Sequence, residues 1–525
     1  MVNTEREKLV ASITNPEKAW DIIVVGGGAT GLGTALDAAS RGYKTLLLEQ
    51  ADFAKGTSSR STKLVHGGVR YLAQGDIGLV REALYERGLL LKNAAHLVKN
   101  ESFIIPNYNW WSGPFYTIGL TIYDLLAGKL SFGRSKHISK KETIHRLPGI
   151  QQKNLHGGVV YHDGQFDDSR LAVNLAQTCL EQGATVLNYF RVTDLLKENG
   201  KVAGVAAEDM ETGAVYNLKS KAVINATGVF VDDLLQKDEP HKKPLVKSSQ
   251  GIHIVVDKSF MPGDDAIMIP KTDDGRVLFV VPWHGKLFIG TTDTPLDEHS
   301  LEPVALEEEI GFVMRTVSKY LPHSPKREDV RSIFAGLRPL AAPQEGSAKT
   351  KEISRSHKLI VSGSGLITIT GGKWTTYRKM AQDTVDKAIE IASLSPRASL
   401  TKDLPVHGNK NDVDRNDHLY VYGTDRDALL QLVNENPEWG KQVHPALEYT
   451  QAEVIWAVRN EMARTVEDVL ARRVRALFLD ARAAIEMAST VAQLMAGELK
   501  QNDEWIKKQV DAFDDIARKY LLIPF

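Results

Sequence analysis

The stretch Asp21–Gln50, DIIVVGGGATGLGTALDAASRGYKTLLLEQ, constrains the fold more than any other part of the chain. An apolar, β-branched run from Ile22 to Val25 is followed at once by Gly26-Gly27-Gly28-Ala29-Thr30-Gly31. Small and apolar residues then recur at helical spacing (Ala35, Leu36, Ala38, Ala39) until Arg41-Gly42, and a second apolar run, Thr45 to Leu48, ends in Glu49. Strand, tight turn, helix and strand within about thirty residues are the setting a dinucleotide fingerprint requires. Gly26 permits the turn, Gly28 lets backbone approach a pyrophosphate, and Gly31 lets helix and strand pack closely. The free N–H groups at the helix start face the anion. Glu49 stands where a ribose diol donates hydrogen bonds. A glutamate rather than an arginine there argues against a 2′-phosphate, which leaves FAD or NAD.

The 525 residues exceed one compact core, and length alone suggests two to four domains. With 65 Lys+Arg against 66 Asp+Glu, nothing global points to nucleic acid. The single cysteine, Cys179, excludes an internal disulfide and a thiolate metal cluster, and it fits a reducing compartment. The N-terminal residues are charged and lack a signal-peptide core. The most hydrophobic uncharged window, Ser102 to Tyr123, contains Pro106, Gly113 and Pro114 and would span a membrane poorly.

Along the chain, residues 1–17 read as a short helix and Ala51 to Ser61 as a Gly/Ser/Thr loop. That loop either wraps a cofactor's phosphates or is ordinary surface. Ile77 to Ala95 reads as an amphipathic helix. Phe103 to Leu130 is dense in aromatics, which usually fill a core; an interfacial face touching lipid or an apolar electron acceptor is the other reading. Short alternating strands from Val246 to Thr292 predict an antiparallel sheet distinct from the nucleotide-binding part. Gly371-Gly372 opens a second helix junction suited to an anion. Beyond Pro405 the composition is that of a helical domain.

VGGGATGLGTALDAASRG (Val25 to Gly42) and GGKWTTYRKMA (Gly371 to Ala381) resemble the two signatures of FAD-dependent glycerol-3-phosphate dehydrogenases. Between them STKLVHGGVRYL, SQGIHIVV, FVVPWHGKLFIGTTD and AGLRPL resemble that family's internal blocks in order. The family belongs to the glycine/D-amino-acid-oxidase-like flavoproteins. The resemblance implies an α/β protein: a Rossmann-like FAD-binding domain (18–100, 155–240, 350–395), an antiparallel-sheet substrate domain (101–154, 241–349) and a helical C-terminal domain (396–525). It also implies FAD as cofactor and oxidation of sn-glycerol 3-phosphate to dihydroxyacetone phosphate.

Carried over residue by residue, the resemblance assigns the cofactor to Gly26, Gly28, Gly31, Glu49, Thr57, Ser58, Thr62, Lys63, Leu64, His66, Gly67, Val192, Gly228, Gly372, Lys373, Trp374 and Thr375. For a phosphate dianion it offers Arg70, Tyr71, Arg338, Arg355 and Lys373. As catalytic groups it offers His66, His253, Arg338 and Lys373, with the base left open between His66 and His253, and an arginine as the third option. A lone histidine in an apolar run is more often a hydrogen-bonded core residue.

Rival readings are a glycerol-3-phosphate oxidase using oxygen, an amine or amino-acid oxidase of the same fold, and a flavoprotein acting on tRNA. Family oxidases carry a middle insertion not evident here. An amino acid needs one carboxylate-binding arginine, where this chain offers several cations. The neutral charge balance opposes RNA. Electron transfer to a quinone requires contact with a membrane, and the resemblance implies a cytoplasmic enzyme attached peripherally at the inner face of the cell membrane. The residues are silent on oligomeric state, a homodimer included.

Overall fold

The structure, a computed structural model, describes residues 6–14, 19–69, 72, 75–273, 275–341 and 357–523. Trp20–Val25 lies between two parallel neighbours, Thr45–Leu48 and Val215–Asn225. Thr185–Leu187 and Ile367–Thr370 extend the parallel set on either side, and Lys358–Val361 closes one edge antiparallel. These strands read as continuous Val/Ile/Leu because helices cover both faces of the sheet. Two antiparallel hairpins, built from Phe190–Glu198, Lys201–Asp209 and the first half of Val215–Asn225, fold off the same sheet.

A second sheet is organised on the long strand Val246–Asp257. That strand pairs antiparallel with Val330–Ala341 along nearly its whole length and with Lys286–Gly290. The sheet continues through Leu278–Trp283, Ala266–Ile269, Lys99–Asn107 and Gly157–Gln165. Gly157–Gln165, placed by sequence in the nucleotide-binding part, belongs to this second sheet because its hydrogen-bond partners are Leu64–Val65, Lys99–Asn107 and Lys136–Ser139. The next residues return to the first unit in the helix Asp168–Glu181, capped by Asp167.

The aromatic segment resolves into the strand Lys99–Asn107 and the helix Ser112–Ala127. The core reading holds for the strand and for Tyr123 and Leu120, but fails along one face of the helix. Trp111, Phe115, Ile118, Ile122 and Leu125 are exposed there, and Trp110 just before it is 80% exposed. Their spacing of three and four residues puts them on one stripe. No helix among the described residues is long and apolar enough to cross a membrane.

The C-terminal helices Gln451–Asn460, Ala481–Leu499 and Asp503–Ala517 close over the second sheet. Leu470, Phe478, Met487 and Val491 share a core with Val255, Phe288 and Phe334 of that sheet. The segment 404–425 instead joins the core of the first unit through Val406, Leu419 and Tyr422. There His407 sits between Glu181 (2.6 Å) and Asp425 (2.7 Å).

Burial alone would lower the His407 pKa. The hydrogen bonds to the two carboxylates outweigh it and hold the imidazole at about 9, against an ordinary 6.5. The folded state thus retains a proton that the unfolded chain loses above pH 6.5. This contribution is complete below that value and disappears as pH rises through about 9. His407→Gln is expected to flatten the fall in stability between pH 6.5 and 9, read from denaturant midpoints across that range.

Candidate functional site

At the carboxyl ends of the parallel strands lies a cavity of about 390 Å³. This is the position at which open α/β sheets bind ligands. Its floor is bare backbone. Gly26 has φ +109°, and a Cβ there would stand 2.6 Å from Ala226 O. A Cβ on Gly31 would meet Gly26 O at 1.8 Å, so the helix Ala29–Ser40 seats its first turn directly on the strand end. Glu49 closes the end of the second strand, accepting hydrogen bonds from Gly27 N (2.5 Å) and Ala51 N (2.9 Å). Desolvation raises its pKa, and those two N–H groups oppose the shift.

Of the residues expected to hold a cofactor, Gly26, Gly28, Glu49, Thr57, Ser58, Val192, Gly228, Gly372, Lys373 and Trp374 line this one cavity. Val192 does so at a break in strand register. The Gly/Ser/Thr loop forms the wall rather than free surface. Ser58 Oγ accepts from Ala29 N (2.9 Å) at the helix start, and its carbonyl accepts from the Trp374 indole (2.9 Å). Thr57 donates to Leu337 O of the second sheet (2.6 Å). Gly31 lies beneath the floor as a packing residue.

Other expected residues stand just beyond the cavity. His66 N–H donates to Thr375 Oγ1 (3.1 Å), drawing the 62–67 segment against the 372–375 junction. Leu64 is buried in the core of the second sheet, and Gly67 N–H donates to Tyr123 Oη (2.7 Å). The Lys63 side chain does not reach the cavity. It is fully buried against Asp168 (2.7 Å) and Ser59 O (2.7 Å), among the rings of Trp283, Phe334 and Phe478. Burial, opposed by Asp168, pulls its pKa down to about 7. Its side chain is therefore a structural group, and a cofactor contact from this residue must come from backbone.

Thr62 links cofactor loop and second sheet, its Oγ1 lying 3.0 Å from His253 Nε2. On the long strand, His253 sits opposite Phe334 and stacks on it, with ring centroids 4.9 Å apart. Two residues back, Gly251 leaves room for Arg338. A Cβ at Gly251 would meet Arg338 Nη2 at 2.3 Å and Thr291 Oγ1 at 2.4 Å, and one at Gly290 would meet His253 Cδ2 at 2.4 Å. Arg338 donates to Thr291 Oγ1 (3.0 Å) and Gln250 O (3.3 Å). Burial, and then the charges of Lys63 and Arg338, hold the His253 imidazole well below its ordinary pKa, so it is neutral. Its Nδ1 has no hydrogen-bond partner among the described residues. Arg70, Tyr71 and Arg355 lie outside the described residues.

Sequence reasoning missed Gly251, Gly290 and Thr291. The signal was available: a glycine two positions before a histidine in a strand, and another directly before a Thr-Thr pair. It also missed the buried arginines Arg472, Arg473 and Arg475. These reach the cofactor loop through Asp52 (2.5 Å from Arg472, 2.7 Å from Arg473) and, from Arg475, through Ser59 O (3.1 Å).

The model of the FAD dependent oxidoreductase family matches residues 21–378, and that of the C-terminal domain of alpha-glycerophosphate oxidase matches residues 354–506. The mitochondrial glycerol-3-phosphate dehydrogenase of Rattus norvegicus is 39% identical over 542 residues, covering 96% of this chain and 73% of its own length. That of Schizosaccharomyces pombe is 36% identical over 98% of this chain and 89% of its own. The structure of the glycerol-3-phosphate dehydrogenase from Bacillus halodurans complexed with FAD superposes with a TM-score of 0.80 at 30% identity, over 99% of this chain and 98% of that one. The L-alpha-glycerophosphate oxidase of Mycoplasma pneumoniae shares the fold, with a TM-score of 0.55 at 18% identity.

The floor and the second-sheet face are separable by substitution. Gly26→Ala introduces strain of about 3 kcal/mol, roughly a hundred-fold in affinity, and is expected to yield protein that purifies without yellow cofactor. Gly251→Ala is expected to retain FAD, displace the Arg338 guanidinium and lower turnover. Visible absorbance after gel filtration, followed by steady-state kinetics, distinguishes the two.

Proposed function

The chain belongs to the FAD-dependent glycerol-3-phosphate dehydrogenases, and from that membership we propose that it oxidises sn-glycerol 3-phosphate to dihydroxyacetone phosphate and passes the electrons to a quinone. The observation that carries this reading is the meeting of a neutral, buried His253 and the Arg338 guanidinium on one sheet face, stitched to the cofactor loop through Thr62.

The residues fit FAD: a bare-glycine floor, a helix N-terminus, a carboxylate for the ribose and a cavity walled by the 51–61 loop. When bound, FAD supplies the hydride acceptor, its N5 atom. The chain's own residues supply the rest. Arg338 and Lys373 give positive charge for the substrate's phosphate dianion or for the alkoxide that forms as the secondary hydroxyl loses its proton. His253 takes that proton as the C2 hydride leaves, and the ketone is the product. Among His66, His253 and an arginine, His253 is favoured as base because it is neutral and has a ring nitrogen unengaged by the described residues. Burial keeps bulk water from the imidazole, while the Arg338 guanidinium is half-buried.

For the acceptor, the exposed stripe from Trp110 to Leu125 supports attachment to a membrane surface from which a quinone is drawn. Tryptophans at one end and an apolar face along the helix suit the headgroup boundary. We propose a peripheral location at the cytoplasmic face, the side resting on the family resemblance and not on the stripe.

Anaerobic mixing with sn-glycerol 3-phosphate is expected to bleach the oxidised-flavin absorbance, while glycerol, lactate and D-amino acids leave it unchanged. No bleaching would sink the substrate assignment and leave the fold standing. Reoxidation by a quinone analogue faster than by air would establish the dehydrogenase; the reverse order would make it an oxidase. A Phe115→Ser/Ile118→Ser variant is expected to keep the bleaching and to lose turnover with quinone embedded in liposomes.

A further inference from the structure

Three consecutive glutamates, Glu307-Glu308-Glu309, open the helix Glu307–Ser318. Glu307 and Glu308 are exposed, as an acidic first turn ordinarily is, but Glu309 is only 4% exposed. Its four hydrogen-bond partners are neutral donors. Oε1 accepts from Thr292 Oγ1 (2.7 Å) and Thr294 Oγ1 (2.8 Å), and Oε2 accepts from Gln250 Nε2 (2.8 Å) and Leu306 N (3.1 Å). Capping the helix accounts for the Leu306 bond alone. The other three come from the long strand Val246–Asp257 and from residues 292–294, just after the strand Lys286–Gly290.

Arg338 meets the same two segments. Its Nη1 donates to Gln250 O (3.3 Å) and stands 3.5 Å from Asp293 Oδ1, and its Nη2 donates to Thr291 Oγ1 (3.0 Å). Two of these three separations are long for a hydrogen bond, so the contacts follow the placement of the segments rather than set it. Glu309 supplies that placement. Gln250 turns its carbonyl to Arg338 and its side-chain amide to Glu309. Thr292 lies between Thr291 and Asp293, and its hydroxyl accepts from Ile252 N (3.0 Å) while donating to Glu309. One carboxylate thus ties the strand on either side of Gly251 to the loop that holds the guanidinium.

An amide cannot do the same. Ile252 N fixes the Thr292 hydroxyl as a donor toward Glu309. Val304 O, which also accepts from Gln250 Nε2 (3.0 Å), fixes the orientation of that amide. Glu309→Gln therefore turns an amino group toward donors in either orientation. We propose that Glu309 is the positioning residue for Arg338, its carboxylate holding Gln250 and residues 291–293 so that the guanidinium faces the substrate's anionic oxygens. The proposal rests on the reading of Arg338 as the cation for the phosphate or the alkoxide.

The test compares the unmodified protein, Glu309→Gln, Arg338→Lys and the double variant, each loaded with FAD, by two readouts. The first is the second-order rate constant of anaerobic flavin bleaching by sn-glycerol 3-phosphate. Glu309→Gln is expected to lower it roughly ten-fold, the scale of one hydrogen bond to a charged group. It is expected to add nothing to Arg338→Lys, because both substitutions act on one guanidinium. The second readout is labelling of Arg338 by phenylglyoxal, followed by mass spectrometry, which needs no turnover. Glu309→Gln is expected to speed it several-fold and to leave Arg331, held by Asp257 on the same strand (2.6 Å), unchanged. If the unmodified protein does not bleach, the substrate assignment fails and the labelling alone decides this proposal. Should Glu309→Gln not retain FAD, Thr292→Val breaks the same link from its other end with the same two expectations, and Thr292→Ser, which keeps the hydroxyl, restores both. A lowered melting temperature with unchanged bleaching and unchanged Arg338 labelling, the mark of helix capping only, would overturn the proposal. So would effects of the two substitutions that multiply in the double variant.

Discussion

One buried carboxylate, Asp168, joins the three parts of the molecule that must stay in register. Its Oδ2 accepts from Lys63 Nζ (2.7 Å), Ser61 Oγ (2.7 Å) and Ser61 N (3.2 Å) of the cofactor loop, and its Oδ1 accepts from Arg475 of the C-terminal unit (3.2 Å). Asp168 itself opens the helix that packs against the fingerprint helix. Charges this deep are tolerated only when every one is matched, and removing one partner of such a pair costs about 3–5 kcal/mol. The loop that walls the dinucleotide cavity, the strand face that carries His253, and the C-terminal helices are therefore ordered together. Asp52 adds a second tie of the same kind: burial opposes its ionisation, but Arg473 and Arg472 hold its carboxyl far below the usual range.

This arrangement explains how a site forms between two sheets of different character. The parallel sheet supplies backbone without side chains, because Gly26, Gly31 and Ala226 approach more closely than a Cβ allows. The antiparallel sheet supplies side chains. Small residues at 251 and 290 leave room for Arg338 and His253 to lie flat against it. Packing of Phe334 against both His253 and Phe478 carries the C-terminal core to the back of the imidazole.

The fingerprint was readable because its physics is local: turn, helix start and terminal acid all fall within one βαβ unit, and the structure builds one cavity from Gly26, Gly28 and Glu49. The GTSSRST loop was ambiguous in sequence, since its role depends on Leu337 and Trp374, hundreds of residues away. Gly157–Gln165 went to the wrong sheet because sheet membership is decided by non-local hydrogen-bond partners and not by strand propensity. The arginines of ARRVR lie in a stretch whose composition says only that it is helical. They are buried because their acids, Asp52 and Asp168, arrive from the far end of the chain. The helix Ser112–Ala127 has too many apolar residues for its length, and composition does not say which of them find a core.

The measurement that bears most directly on the proposed chemistry is the primary deuterium isotope effect on anaerobic flavin bleaching by sn-[2-²H]glycerol 3-phosphate, in the unmodified protein and in His253→Asn. Cleavage of the C2–H bond with proton removal by His253 predicts bleaching slowed several-fold by deuterium in the unmodified protein. In the variant it predicts a rate lower by about 10²–10⁴-fold, the range of a lost general base, that still responds to deuterium. An absent isotope effect in the unmodified protein, or a variant that bleaches at the unmodified rate, would contradict the assignment.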